Sequence, residues 1–220
     1  MERPVDGSEI TIKRLKIAEL QDRAIVDQII TEFRAVKPDS AVCRIPARLV
    51  PQYFCKIIEK GGTVLVAKMK NEIAGFLIFV RDNNVTLEFM RMHKVAIALG
   101  LLLSTSGYDK ILLSSLALNF ILMLGKDLPP EFENEISLLA VSGPFQGKGI
   151  GTALVNALRR EGLSQIRVKT DAANAPAVKF YERNGFARVG QIALGRRTLV
   201  TFEDTRPGGR AASRRDGAAP

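Results

Sequence analysis

The chain has 220 residues, with 32 Lys+Arg against 23 Asp+Glu and a formal net charge of +9. With 46% hydrophobic and 25% charged residues it can bury a full core, which argues against global disorder, and its length suits one large domain or two small ones. Two cysteines exclude a disulfide framework; the single histidine, His93, excludes multi-His metal sites and disfavours a His-based triad, so no metal is expected.

The opening MERPVDGSEITIKR has no apolar stretch of the signal-peptide kind, so a cytoplasmic location is expected. Arg206, Arg210, Arg214 and Arg215 against Asp216 place +3 of the charge beyond Asp204. That tail lacks large apolar residues, and 206–220 is expected to be disordered. A basic chain can meet nucleic acid, anionic lipid or phosphorylated small molecules. No helix-turn-helix, zinc finger or aromatic RNA platform accompanies the charge, and with no Trp and three Tyr, base stacking is poorly supplied. The expectation is therefore a phosphate-rich small ligand and no nucleic acid.

In chain order, Ile10 and Ile12 alternate with polar neighbours, which predicts a first strand. A helix follows from Arg23 to about Val36, with Asp22 as its cap and Ile25, Ile29, Ile30 and Phe33 on one face. A second helix begins after Pro46, carries Leu49, Tyr53, Phe54, Ile57 and Ile58, and stops at Gly61-Gly62. Val64–Lys68 and Ile73–Val80 read as a hairpin through Lys70-Asn71-Glu72.

The stretch 82–130 breaks the pattern. It contains two strongly apolar runs, Val95–Leu103 and Ile111–Gly125, each short of the ~20 residues that span a bilayer. Two helices are expected there, serving as core, as a homodimer interface or as a peripheral membrane contact flanked by Arg91, His93 and Lys94. Beyond it, Ile136–Val141 predicts a strand, Gly149–Arg160 a helix and Ile166–Thr170 a strand. Asn174 then caps a helix with Pro176 in its first turn and Gly185 after its end. Phe186–Val189 and Leu199–Phe202 predict a closing strand pair.

The chemistry is concentrated between the strand ending at Val141 and the helix that follows. Ser142-Gly143-Pro144-Phe145-Gln146-Gly147-Lys148-Gly149-Ile150-Gly151-Thr152 describes a phosphate cradle. Glycines let the backbone approach an anion, the first helical turn offers unpaired N–H groups, and Lys148 adds a cation. The P-loop pattern fails because Gly149 follows Lys148, and GxGxxG fails at Thr152 and Leu154. What remains is Q-x-x-G-x-G from Gln146 to Gly151.

This segment resembles the acyl-CoA signature of the GCN5-related N-acetyltransferase (GNAT) superfamily. A second marker, Asn174 followed by Phe180-Tyr181-Glu182-Arg183-Asn184-Gly185-Phe186, resembles that family's N…YxxxGF helix and strand, in the right order and separation. The resemblance covers about residues 9–204 apart from the apolar insertion. It implies one domain over 1–205 with an α/β, mixed and mostly antiparallel central sheet flanked by helices, and acetyl-CoA as co-substrate.

The resemblance also implies roles. Backbone groups of Leu139, Ala140 and Val141 would meet the pantetheine arm, and the Leu139 amide would polarise the thioester carbonyl. The amides of Gln146, Gly147, Lys148, Gly149, Ile150, Gly151 and Thr152 would hold the diphosphate, and Asn174 would hydrogen-bond the pantetheine. Tyr181 would be the general acid at the departing sulfur. Glu135 is the candidate base, with a water chain held by Ser137 as the alternative; strand alternation places Glu135, Ser137, Leu139 and Val141 on one face. The expected reaction is acetyl transfer from acetyl-CoA to a primary amine, a small molecule or amino sugar. The alternatives are a sugar O-acetyltransferase of surface polysaccharide synthesis and a CoA-binding module without catalysis. For His93, Cys43, Cys55, Tyr53 and Tyr108 structural roles are expected.

Overall fold

The computed structural model describes residues 10–36, 46–70, 72–82, 84–97, 133–163, 165–194 and 197–206. The expectations for Cys43, Tyr108, the tail beyond Arg206 and the apolar runs beyond Ile97 lie outside these residues. The chain divides into two compact units, Met1–Val155 and Asn156–Pro220.

The first unit holds four strands: β1 (Thr11–Arg14), β2 (Thr63–Met69), β3 (Glu72–Asp82) and β4 (Glu133–Val141). Each pairs antiparallel with the next. β2 and β3 are buried along nearly their whole length, which fits their near-continuous apolar sequences TVLVAKM and EIAGFLIFVRD. Helices α1 (Arg23–Val36), α2 (Val50–Glu59) and α3 (Asn84–Met92) supply the matching cover. Val26, Ile29, Tyr53, Phe54, Ile57, Val85 and Phe89 join Val64, Val66, Phe76, Ile78, Val80, Leu138 and Ala140 in one core.

The second helix runs as expected, through a short 3-10 turn at Ala47–Leu49 into α2. It stops where the sequence places the glycine pair. Gly61 has φ +78°, and a Cβ on Gly62 would fall 2.6 Å from both the Ile57 side chain and the Phe79 carbonyl. Helix α3 differs from expectation. The expected helices lie on the apolar runs Val95–Leu103 and Ile111–Gly125, whereas VTLEFMRM, ahead of them, has the mixed pattern of an amphipathic helix and buries Val85, Phe89 and Met90. Its start is fixed by the Asn84 N–H, which donates to Asp82 Oδ1 at 2.9 Å. A 3-10 turn at Ile17–Gln21 also had no distinctive sequence signal.

The second unit contains β5 (Arg167–Asp171), α5 (Ala175–Arg183), β6 (Phe186–Leu194) and β7 (Arg197–Asp204), with β7 pairing antiparallel to both β5 and β6. Helix α4 (Ile150–Arg159) ends here. All described pairings are antiparallel, and the seven strands with their covering helices make the expected mixed α/β architecture.

Arg159, the last residue of α4, ties this unit together. Its guanidinium donates to both carboxylate oxygens of Asp204 (Nε to Oδ2 2.6 Å, Nη2 to Oδ1 2.9 Å). It also donates to the Asn184 carbonyl at 2.6 Å and lies 5.2 Å from the Phe186 ring centre. The two side chains are 13% and 6% exposed, so this pair is taken out of water and its geometry satisfies it. Asp204→Ala strands the buried guanidinium and is expected to lower the unfolding free energy by about 3–5 kcal/mol in urea denaturation. The double variant Arg159→Met, Asp204→Leu is expected to regain most of that loss, because no charge remains buried. A cost below about 1 kcal/mol for Asp204→Ala would show a solvent-screened pair instead.

Candidate active site

Three features of the first unit build the predicted cradle. After β4 the chain makes a 3-10 turn at Gly143–Phe145, then passes Gln146 to Gly149 and enters α4. Gly147 and Gly149 have φ of +78° and +80°, with open space where a Cβ would stand. Glycine is required there by backbone conformation, and the absence of side chains keeps the concave side of the turn clear. The first helical hydrogen bond runs from the Ala153 N–H to the Gly149 carbonyl at 2.9 Å. The N–H groups of Ile150, Gly151 and Thr152 therefore precede the helical ladder. Lys148 lies 5.4 Å from the Phe145 ring centre, and 142–155 holds no carboxylate. Such a turn suits a diphosphate.

Gln146 does something different from its neighbours. Its own N–H is taken by the Gly143 carbonyl at 3.2 Å, and its side-chain Nε2 donates to the Val141 carbonyl at 3.1 Å. It clips the turn to the end of β4 rather than contributing an amide to the cradle. Gly75 of β3, absent from the sequence-based candidates, sets the depth of the same region. A Cβ there would lie 2.8 Å from the Ala140 carbonyl and 3.1 Å from the Ile150 side chain. The available signal was a glycine inside an otherwise bulky strand.

The peptide groups of β4 follow from its register. The Ser142 N–H donates to the Ala74 carbonyl at 3.0 Å. Pairing then alternates, so the opposed pair Phe76 and Ala140 exchanges hydrogen bonds while the pair Leu77 and Leu139 does not. Leu139 and Val141 therefore turn their N–H and C=O groups away from β3, as the Gln146 bond to the Val141 carbonyl requires. Ala140 commits its peptide groups to β3 and buries its side chain in the core.

A bulge changes what the sequence predicts further up the strand. Ile78 stands opposite Leu138 and Phe79 opposite Ile136, leaving Ser137 without a partner on β3. The parity of side chains switches there. Glu135, opposite Val80, lands on the face of Leu138 and Ala140, which packs under α1–α3, whereas Leu139 and Val141 face the other way. The expectation that Glu135, Ser137, Leu139 and Val141 share one face is thus overturned. Glu135 is buried, and the hydroxyls of Ser137, Tyr53 and Thr86 are linked by hydrogen bonds (Tyr53 Oη to Thr86 Oγ1, 3.0 Å). Burial pushes the Tyr53 phenol up, and these hydrogen bonds pull it part of the way back. Ser137 therefore braces the bulge against α2. None of this was signalled by residue type, since bulges without glycine leave little local trace.

In the second unit Asn174 caps α5, its Oδ1 accepting from the Ala177 N–H at 3.2 Å. That leaves its Nδ2 as the donor for any ligand. Tyr181 is buried among Phe180, Phe186 and Phe202, with ring centres 5.2, 5.5 and 5.9 Å away. Burial alone holds its phenol well above the ordinary value. Gly185, with φ +80°, ends the helix as expected.

The remaining candidates gather at a groove of about 360 Å³ between the turn Ile17–Gln21 and helices α2 and α3. Ile17, Leu20, Cys55, Phe89, Met92 and His93 are among its walls. His93 packs on Phe89 at 4.5 Å between ring centres, and Cys55 is half-buried with its thiol raised by burial and then by Glu59. Among the described residues no group of three or more His, Cys, Asp and Glu is arranged to hold a metal ion, and no helix is long and apolar enough to cross a membrane.

Comparison with known proteins bears on the same residues. Residues 113–186 match the model of the Acetyltransferase (GNAT) family. Over 66 residues the chain is 39% identical to mycothiol acetyltransferase from Geodermatophilus obscurus, a match spanning 28% of this chain and 21% of that protein. Over 61 residues it is 37% identical to N-alpha-acetyltransferase 30 from Schizosaccharomyces pombe, spanning 26% of this chain and 41% of that protein. The chain thus covers well under half the length of these curated relatives. Its fold is similar to an N-acetyltransferase from Staphylococcus aureus Mu50 (TM-score 0.54, 13% identity, 89% of this chain and 98% of that one). It is likewise similar to a GNAT family acetyltransferase from Bacillus cereus ATCC 10987 (TM-score 0.53, 15% identity, 89% and 96%). A family match that starts ahead of β4 and ends on the first residue of β6 takes in both the glycine turn and the Asn174–Phe186 segment, so over 113–186 the chain is similar to the GNAT acetyltransferase family.

Proposed function

We propose that the protein transfers an acetyl group from acetyl-CoA to a primary amine by direct attack. The observation that carries this reading is the turn from Gly147 into α4, which presents amides ahead of the helical ladder in a stretch, 142–155, that holds no carboxylate, at the end of a strand whose Leu139 and Val141 peptide groups point away from β3. The amides of Gly147–Thr152 hold the diphosphate, with Lys148 as a mobile cation. Leu139 and Val141 pair with the pantetheine as an added strand would, and Asn174 Nδ2 donates to it.

In the reaction the amine nitrogen attacks the thioester carbonyl, whose oxygen gathers negative charge facing the Leu139 N–H. The C–N bond forms, the C–S bond breaks, the thiolate accepts a hydrogen bond or proton from Tyr181, and the surplus proton on the new amide nitrogen passes to solvent, from which the phenol is restored. The attacking ammonium must first lose a proton. Glu135 is the candidate acceptor, directly or through water, and it stands on the α1–α3 face of β4. Ser137 supports this arrangement by holding the bulge; its hydroxyl is occupied by Tyr53. A hydroxyl acceptor would need a stronger base, and the only histidine lies at the α2–α3 groove against Phe89, which favours the amine.

Calorimetry with acetyl-CoA tests the cradle. Gly149→Glu places a side chain at φ +80° and a carboxylate beside the diphosphate, and is expected to weaken binding at least ~100-fold, or about 2.7 kcal/mol. Unchanged affinity would refute the placement.

Tyr181→Phe tests the acid. The phenol has no hydrogen-bond partner among the described residues, so the variant is expected to keep its thermal midpoint and acetyl-CoA affinity while kcat for thiol release with an amine panel falls by roughly 10²–10⁴. A CoA-binding module without catalysis would show no turnover to lose. Mass spectrometry of the product, an amide stable to mild base, distinguishes N- from O-acetylation.

The pH–rate profile offers a third check. A group that acts protonated fails only as pH rises through its pKa, and Tyr181 is raised above the ordinary phenol value of about 10. No descending limb from Tyr181 is therefore expected below about pH 10. A limb near pH 8 that disappears in Tyr181→Phe would contradict its burial.

A further inference from the structure

The outer arc of α3 and the turn after it carries a pattern that acetyl transfer does not use. Beyond Met92 the chain continues in helical register, with the His93 N–H donating to the Phe89 carbonyl (3.1 Å) and the Ile97 N–H to the His93 carbonyl (2.9 Å). Phe89, Met90 and Ile97 are buried. At roughly 100° per residue, Lys94, Arg91, Val95 and Met92 follow one another around the opposite arc. Met92 and Val95 are 62% and 63% exposed, and Ile17, across the groove from Met92, is 39% exposed. These are three of the four exposed large apolar side chains among the described residues.

The charge around them is one-sided. Lys16, Lys56, Lys60, Arg91 and Lys94 stand against Glu59 and Glu88, five cations to two carboxylates, a local net charge of +3. Glu88, the one carboxylate on the arc, lies 3.5 Å from Lys56 Nζ and 3.7 Å from Lys60 Nζ, and Glu19 is paired with Lys13. In sequence no charge follows Lys94 until Asp109.

We propose that this face rests on an anionic lipid surface, with Met92, Val95 and Ile17 entering the interface and the surrounding lysines meeting headgroup phosphates. Exposed apolar side chains within a basic rim are what peripheral binding requires, and the attraction to acidic lipid adds to the buried apolar area. A second copy is the poorer occupant, because a two-fold interface would set the same excess of positive charge against itself.

Flotation of the full chain with vesicles tests this. Vesicles of phosphatidylcholine and phosphatidylglycerol in equal parts are expected to carry the protein up the gradient. Vesicles of phosphatidylcholine alone are expected to carry at least ~10-fold less, and raised salt should release it. Met92→Asp with Val95→Asp, both on the solvent side of the helix, is expected to cut binding to the acidic vesicles at least ~10-fold with the thermal midpoint and acetyl-CoA affinity retained. Lys94→Glu, which leaves the apolar residues in place, is expected to weaken binding several-fold and to make its loss with salt shallower. Absence of binding to acidic vesicles, equal binding to both compositions, or full binding by both variants would overturn the proposal. So would a concentration-dependent dimer that Met92→Asp with Val95→Asp dissolves while vesicle binding persists.

Discussion

The hydrogen bond from the Ser142 N–H to the Ala74 carbonyl sits at the junction of the core and the site. It fixes which peptide groups of β4 face β3 and which face away, and so decides that Leu139 and Val141 are the residues able to meet a ligand through their backbone. The bond does not act alone. Sliding β4 by one residue would also swing Leu138 and Ala140, 6% and 3% exposed, out of the core beneath α1–α3. Burial of those side chains against Phe76 and Ile78 therefore holds the register, and the register aims the amides. Gly75 extends the same logic, since only a residue without a side chain lets the start of α4 settle on the strand pair.

The bulge at Ser137 gives β4 two halves with different tasks. Below it, the strand carries outward peptide groups into the glycine turn. Above it, the parity change carries a carboxylate, Glu135, onto the face packed by α1–α3. An unbroken strand could not do both, because strict alternation would put Glu135 on the face of Leu139 and Val141. The cost of an unpaired residue in the ladder is offset locally by the hydrogen bonds joining Ser137, Tyr53 and Thr86, all of which depend on α2 and α3 lying where the core places them. Packing, bulge and candidate base are thus one linked arrangement.

Legibility in the sequence followed how local each cause is. Glycines forced into positive φ, the Asn174 cap and the helix ends are decided by a few neighbouring residues, and the sequence shows them directly. The boundaries of α1, α2 and α5 were read from caps, prolines and glycines for the same reason. The bulge was invisible because it is a property of two strands, and Ser137 has no conformational peculiarity that marks it. Helix α3 was masked by louder apolar runs downstream, although Val85, Phe89 and Met90 repeat at helical spacing. The clip made by Gln146 is not legible in the sequence, since spacing shows that a glutamine is present and says nothing of where its amide goes.

Tyr181 separates what the fold needs from what it merely carries. Its ring is fixed by Phe180, Phe186 and Phe202, and the adjacent Phe180 shows that a plain phenyl is accommodated on the same helix. Its hydroxyl has no hydrogen-bond partner among the described residues, and burial of the ring makes the phenolate costly. No buried side-chain oxygen or nitrogen among the described residues is left without a partner, so the Tyr181 oxygen is not sealed in the core. Packing against the three neighbouring rings uses the phenyl ring and not the oxygen. In the proposed reaction the departing sulfur of a bound thioester would be an acceptor for that hydroxyl, at the moment when a strong hydrogen bond to it lowers the barrier.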